Sequence, residues 1–372
     1  MKRKKRSTLL RTIIILGIGM ILCFPVVSVA DQKDSSGSAN EASKKASELA
    51  GKTGFTVESV QSENQINKDF SFFYVHTQPS EEQTLKVKVI SKRKEPSKVK
   101  IHVNNAVTNI MGQIDYGQKN VQLDSSMKQP ITDFVSLGAK EVTVKNFEEK
   151  IVELHVKPPK DSYQGVRLGA VVFRSADSQE KEETGVNNTY GYKIAIMTSE
   201  DLRPYNEGGR INYISVKASL QNGQKAIAMK VQNPEPAVLE NVSIRTKIFP
   251  KGEKEPLATN ALAGMKLAPN SSFDYLTYLG LEDLKAGKYV IQASATDGKE
   301  TWEWEKEFTI SDKQANQINE DAAYKITMPK LYKGFGISLI ILTLGNIGYL
   351  VYRKRKTSET KKGGGKDDAS EG

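Results

Sequence analysis

Three histidines, His76, His102 and His155, are the side chains of this 372-residue sequence that ordinarily titrate near neutral pH. Each lies in or beside a run of alternating apolar residues. None has a carboxylate or a second histidine at metal-ligand spacing, so they read as satisfied or solvent-facing groups. The acidic pairs Glu148–Glu149 and Glu182–Glu183 fall in polar, loop-like stretches that suit solvated charge better than general acid–base work. There is no GxSxG elbow, HExxH, P-loop or dinucleotide glycine pattern. The one cysteine, Cys23, sits in an apolar N-terminal run, so the chain beyond it offers no disulfide, thiolate metal site or cysteine nucleophile. The expectation is a protein that is not an enzyme, with no catalytic residue, no metal site and no cofactor. The sequons at Asn187, Asn241 and Asn270 read as chance matches.

Two features suit recognition instead. The stretch Ala106-Val107-Thr108-Asn109 through Gly112-Gln113-Ile114-Asp115-Tyr116 places amide and carboxylate groups beside an aromatic ring. Sugars need in-plane hydrogen bonds and an apolar platform, so this chemistry suits a glycan. The same groups are equally able to cap a long loop's own backbone, and both readings stand. Trp302 and Trp304 share one face of a strand, a pattern that favours core packing over a binding platform.

The elements that must carry these residues are short and alternating. Leu85, Val87 and Val89 alternate with Lys86 and Lys88; Val99, Ile101 and Val103 repeat the pattern, as does Ile151 through Val156. Gly165 to Phe173 is a more continuous apolar strand, and Ser175 to Asn188 is polar and reads as a linker. Tyr190 to Met197 is expected to open a second block, followed by Ile211–Leu220, Ala226–Val231, a turn at Asn233-Pro234 and Pro236, and strands around Val242–Ile248, Tyr289–Ala295 and Trp302–Ile310. In the last of these Glu303, Glu305 and Glu307 face water, while Lys306 interrupts the apolar face. The fold class is all-β, with two immunoglobulin-like β-sandwich domains in tandem.

The ends have a different character. Residues 1–30 hold six basic residues and no acid, and the tail after Tyr352 holds seven basic residues against four acids. Between them 41 basic residues meet 40 acidic ones, so the overall +10 belongs to the ends and nucleic acid is not an expected partner. The positive stretch from Lys2 to Arg11, the apolar run Ile13–Phe24 and the small residues Ser28 and Ala30 form the pattern of a cleaved secretory signal. Phe335–Tyr352 is apolar enough for one membrane span, and Arg353-Lys354-Arg355-Lys356 predicts a cytoplasmic C-terminus and an extracellular N-terminus. The expected organisation is signal peptide 1–30, spacer 31–53, first sandwich 54–174, linker 175–188, second sandwich 189–312, juxtamembrane segment 313–334, transmembrane helix 335–352 and tail 353–372.

Several segments together resemble the WxL-interacting proteins of low-GC Gram-positive bacteria. In the first block these are Gly54-Phe55-Thr56-Val57, Ser62-Glu63-Asn64-Gln65, the segment from Ala106 to Tyr116, Pro158-Pro159 and Gly165-Val166-Arg167-Leu168-Gly169. In the second they are Met265 to Ser271, Ala286-Gly287-Lys288-Tyr289, Trp302-Glu303-Trp304, and Ala315-Asn316 with Asn319. Where the family has paired glycines this chain has Gly169-Ala170, a change that bears on strand packing. The resemblance implies an N-terminal peptidoglycan-binding domain and a C-terminal host-binding domain. The partners it implies are peptidoglycan, WxL-domain surface proteins and host extracellular-matrix protein. By motif position and chemistry the glycan-binding candidates are Asn64, Gln65, Asn109, Asp115 and Tyr116. The alternatives are a host adhesin without wall affinity and a cell-wall-modifying enzyme; the latter needs a paired carboxylate or an activated nucleophile that the sequence does not display.

Overall fold

The structure is a computed structural model, and it describes residues 49–118, 121–176, 190–324 and 330–363. After a helical turn at residues 49–53 come β1 (Phe55–Val60), β2 (Phe73–His76), β3 (Gln83–Ser91), β4 (Ser97–Asn105), β5 (Val107–Thr108), β6 (Ile114–Asp115), β7 (Val135–Leu137), β8 (Glu141–Val144), β9 (Glu149–Val156), β10 (Val166–Ser175) and β11 (Gly191–Ser199). Then follow β12 (Asn212–Gln221), β13 (Gln224–Asn233), β14 (Leu239–Pro250), β15 (Ala258–Leu267), β16 (Ser271–Tyr278), β17 (Gly287–Thr296) and β18 (Thr301–Ile310), with helices α1 (Asp312–Asp321) and α2 (Lys330–Gly363). The expected signal peptide, most of the spacer and most of the expected linker lie outside the described residues.

The first sandwich packs a four-stranded sheet, β1-β3-β9-β7, on a five-stranded one, β2-β11-β10-β4-β8. Its core follows the alternation: Leu85, Val87, Val89, Val99, Ile101, Val152, Leu154 and Val156 point inward and are buried. The second sandwich sets β12-β13-β16 against β15-β14-β17-β18, the three-plus-four arrangement of an immunoglobulin-like domain. In β18 Trp302, Trp304 and Phe308 pack against the second core. Lys306, which interrupts that face, lies with its Nζ 6.0 Å from the centre of the Tyr213 ring. The side chain is exposed, and its ammonium meets an aromatic face.

The structure makes two corrections to the expected assignment of elements. The strand texture at Tyr190–Met197 is real, but it does not open the second sandwich. Strand β11 is inserted in the first sandwich, antiparallel to β10 with Ala170 opposite Ala195, and parallel to β2 with Phe73 opposite Ile196. Its Ile194 and Ile196 are buried in the first core. Period-2 alternation identifies a strand but carries no information about which sheet receives it. Likewise α1, which falls in the segment expected to be juxtamembrane, closes the second core. Ser311 caps its N-terminus by accepting from the Gln314 N–H at 3.2 Å, and Ala315 and Ile318 are buried in the core. The Asn319 amide accepts from the Leu284 N–H at 2.8 Å and donates to the Leu284 carbonyl at 2.9 Å.

Within α2, Gly334–Lys354 forms a 21-residue segment of mean hydropathy 1.8. At 1.5 Å per residue it is about 31 Å long, sufficient by length and composition to cross a membrane. Ser338 and Thr343 donate their hydroxyl hydrogens to the carbonyls of Gly334 and Leu339, at 2.9 and 2.7 Å. Two polar side chains of this apolar stretch are thereby satisfied within the helix.

Ile196→Ala is expected to cost about 2–5 kcal/mol and to accelerate amide exchange in β2 and β10. Exchange in β13 and β14 should be unchanged. Acceleration confined to the second sandwich would contradict the assignment of β11.

Candidate functional site

The site is built where the two sandwiches meet. Gly165, at φ +66°, turns the chain into β10, and the Val166 N–H donates to the Pro236 carbonyl at 2.7 Å. A Cβ on Gly165 would stand 2.3 Å from that carbonyl oxygen, so only glycine fits. Tyr74, Ala106, Val166, Leu168 and Met197 of the first sandwich share one buried cluster with Val238 and Ala268 of the second. The β5–β6 ribbon leaves the first sandwich after β4 and reaches the second, where Ile110 packs on Ala226, Ala228 and Leu276. Thr108 makes the polar lock. Ser271 Oγ donates to the Ala268 carbonyl at 2.8 Å, so the 2.7 Å contact between the two hydroxyls has Thr108 donating to Ser271. The Ala268 N–H returns a hydrogen bond to Thr108 Oγ1 at 2.9 Å.

Beyond the ribbon, residues 117–130 run without regular structure wherever they are described. Loops of this length inside compact domains are commonly functional. Its start is held by Asp115, which accepts from the Gly117 N–H at 2.7 Å and from Gln118 at 3.1 Å, and lies 3.6 Å from Lys193. Its middle is held by Asp124, which accepts from Ser126 and, at 2.7 Å, from Gln232 of the second sandwich. Its end is held by Gln129, which accepts from Arg167 at 3.2 Å. Arg167 is only 8% exposed and stacks 4.5 Å from the Tyr163 ring centre. Burial lowers the Arg167 pKa from its ordinary value.

Between this loop and β4 lies a cleft of about 690 Å³, lined by Lys100 to Asn105, Val107, Gln118, Val121, Leu123, Thr132, Lys140 and Glu141. A second cavity of about 430 Å³ shares Val107, Gln118, Val121 and Leu123 with it and continues to Ser271, Ser272 and Asp274 of the second sandwich. Along the cleft floor β8 pairs with β4 only from Ser97 to Lys100. Lys100 stands directly opposite Glu141 in that register, and Lys140 is the second lysine among the described lining residues.

Of the residues singled out from the sequence, Asn109, Asp115 and Tyr116 lie on the ribbon beside the cavities, whereas Asn64 and Gln65 lie against β2 and the start of β3 and line neither cavity. Gln65 is 8% exposed, donates to the Asn67 and Phe72 carbonyls at 3.0 and 2.9 Å and accepts from the Tyr74 N–H at 3.3 Å. Asn64 is exposed and donates to Gln83 at 3.2 Å. Asn109 accepts from the backbone N–H groups of Met111 and Gln113, at 2.9 and 3.1 Å, so it caps its own loop while also lining the second cavity. Partial burial in the interdomain cluster pushes Tyr116 up to about 12. The structure adds Lys100, Asn104, Asn105, Gln118, Asp124, Thr132 and Lys140, none of which forms a motif. The signal that points to them is the strandless stretch between Tyr116 and Pro130. The histidines are dispersed: His76 Nε2 lies 3.2 Å from the Glu200 carbonyl, His155 Nδ1 lies 3.3 Å from Thr84 Oγ1, and His102 lines the cleft.

Two family models match this chain. The WxL Interacting Protein peptidoglycan binding domain matches residues 55–175, and the WxL Interacting Protein host binding domain matches residues 181–320. The chain belongs to the WxL Interacting Protein family. Both models describe binding domains rather than enzymes, and they occur in the order expected from the sequence. In this WxL-interacting protein the host-binding match begins before β11, although β11 pairs with strands of the first sandwich. A search of curated proteins gives no match. Among solved structures, the class 5 fimbriae chaperone CfaA is 16% identical at a TM-score of 0.27, over 68% of this chain and 98% of that one. The E. coli chaperone DraB is 15% identical at 0.25, over 69% and 98%. The Salmonella enterica SafA pilin–SafB chaperone complex is 10% identical at 0.28, over 69% and 96%. Likenesses this weak support no inference about the WxL-interacting protein.

Two measurements check the seam and the loop. Gly165→Ala is expected to destabilise the WxL-interacting protein by about 2–4 kcal/mol, from left-handed backbone strain and the clash with Pro236; a denaturation midpoint equal to wild type would contradict this. Burial raises the Asp124 pKa, but hydrogen bonds from Ser126, Gln232 and Ser272 outweigh it and hold the carboxyl below its ordinary 3.8. The contribution is therefore fully present above 3.8 and is lost as pH falls through the depressed folded value. Amide exchange around residues 121–129, after correction for intrinsic rates, should be unchanged above pH 3.8 and quicken progressively on acidification below it, and should be quick already at neutral pH in Asp124→Ala.

Proposed function

We propose that the protein is a surface scaffold, tethered by α2, that holds peptidoglycan through its first sandwich and presents its second to a protein partner. The observation that supports this most directly is the pair of domain matches, a peptidoglycan-binding model followed by a host-binding model. On this reading residues 1–30 direct export, Gly334–Lys354 spans the membrane, and Arg353 to Lys356 keep the C-terminus on the cytoplasmic side. The ectodomain then stands at the membrane face of the wall, where peptidoglycan is within reach. Its partners are WxL-domain surface proteins, host extracellular-matrix protein, or both.

For the wall-binding half, the cleft along β4 is the proposed site. It is concave, within the volume range of small-ligand pockets, and lined by hydroxyl, amide and charged groups. Of the candidates named from sequence, Asp115 fixes Gln118 at the rim and Asn109 lines the adjoining cavity, while Tyr116 packs in the interdomain cluster. Asn64 and Gln65 lie against β2 and β3, outside this cleft.

Full-length protein in a mild detergent should co-sediment with insoluble peptidoglycan. Protein that stays in the supernatant while retaining its cooperative unfolding transition would remove the wall-binding half and favour a host adhesin without wall affinity.

A further inference from the structure

The floor of the cleft is a sheet edge left open. In β4 the Ile101 N–H points toward β8 and donates to the Lys140 carbonyl at 2.8 Å, whereas the N–H of Ala106, the residue just after β4, points the other way and donates to the Leu168 carbonyl at 2.9 Å. Backbone groups alternate in direction along a strand. Val103 and Asn105 therefore turn their N–H and C=O groups to the same side as Ile101, where β8 no longer pairs and no other described strand takes its place. Thr132, held by the Asn105 side-chain amide, and Gln118, held by Asp115, flank this edge, and Lys140 adds a cation.

Three features decide what fits. Among the described residues the lining contains no Phe, Tyr or Trp, so a pyranose face lacks the broad apolar platform on which sugars stack. An open edge offers donors and acceptors at strand spacing, which is the means by which sheets capture extended peptides. The open edge is also short: it begins after Ile101, whose N–H is the last to bond the chain at Lys140, and stops where β4 gives way to the ribbon at Val107. At roughly 3.3 Å per residue that leaves room for only a few residues of ligand, too little for a long strand of a partner protein.

We infer that the cleft takes the short peptide stem of peptidoglycan rather than its glycan, laid as an added strand against Val103 and Asn105 with a stem carboxylate on Lys140. This rests on the wall-binding reading above and names which part of the polymer is held. Glu141, on the same rim, is placed to receive the amine of the stem's diamino acid. The peptide amides replace the water on the open edge, and no bond is made or broken.

The test uses full-length protein in detergent with three probes: intact peptidoglycan, glycan strands stripped of peptide by an amidase, and a synthetic stem pentapeptide of L-Ala, D-isoglutamine, L-Lys, D-Ala and D-Ala. Intact polymer and pentapeptide are expected to bind, and stripped glycan is not. Lys140→Glu, an exposed substitution, should weaken pentapeptide binding roughly tenfold. Val103→Pro, which deletes the edge donor, should weaken it as well in protein whose unfolding remains cooperative. Stripped glycan bound as tightly as intact polymer, or an unchanged affinity in Lys140→Glu, overturns the peptide assignment and leaves wall binding standing. Failure of all three probes removes the wall-binding reading itself.

Discussion

A buried hydroxyl must find partners, and Thr108 finds both of its own in the other sandwich, at Ser271 and at the Ala268 N–H. Around that lock the apolar cluster of Tyr74, Leu168 and Met197 with Val238 and Ala268 excludes water, and the Gly165 turn brings two backbones to hydrogen-bonding distance. Hydrogen bonds of this kind are directional, so the seam sets an orientation as well as a contact. The long loop depends on it, because Asp124 anchors the loop on Gln232 of the second sandwich. The cleft in turn depends on the loop.

This dependence makes the cleft a product of both domains, although its floor belongs to one. An open strand edge is ordinarily a hazard, since it invites pairing with another chain. Here the edge beyond Ile101 is short and lies beneath a loop pinned at Asp115, Asp124 and Gln129. A small extended ligand is admitted by such an arrangement, and a second sheet is not. The charged rim residues Lys100, Lys140 and Glu141 add a further barrier to edge-to-edge association.

Much of the architecture was legible in local patterns. The alternation at Leu85–Val89 and Val99–Val103 became half-buried strands, the paired tryptophans of β18 packed on the core, and the apolar run near the C-terminus became the helical segment Gly334–Lys354. Lys306 looked like a defect in its strand until the Tyr213 ring appeared beneath it. The cleft residues were not legible. No local pattern singles out Lys100, Asn104, Thr132 or Lys140, because their proximity is created by sheet edges and loop anchors far apart in sequence. Asn109 carried two readings, and its geometry supplies both the self-capping bonds and a place on the adjoining cavity.

By itself the sequence determined the all-β character, the two sandwiches, the near-neutral middle between basic ends and the lack of a thiol beyond Cys23, because each of these is encoded in composition or within a few neighbouring residues. Only the tertiary structure decided that β11 fills the gap between β2 and β10, that α1 closes the second core, and that part of β4 is left unpaired. A strand's periodicity is local, but the identity of its neighbour is fixed by whichever distant segment can match its register and bury its inner face. The open edge, and with it the proposed site, exists only as an outcome of that competition.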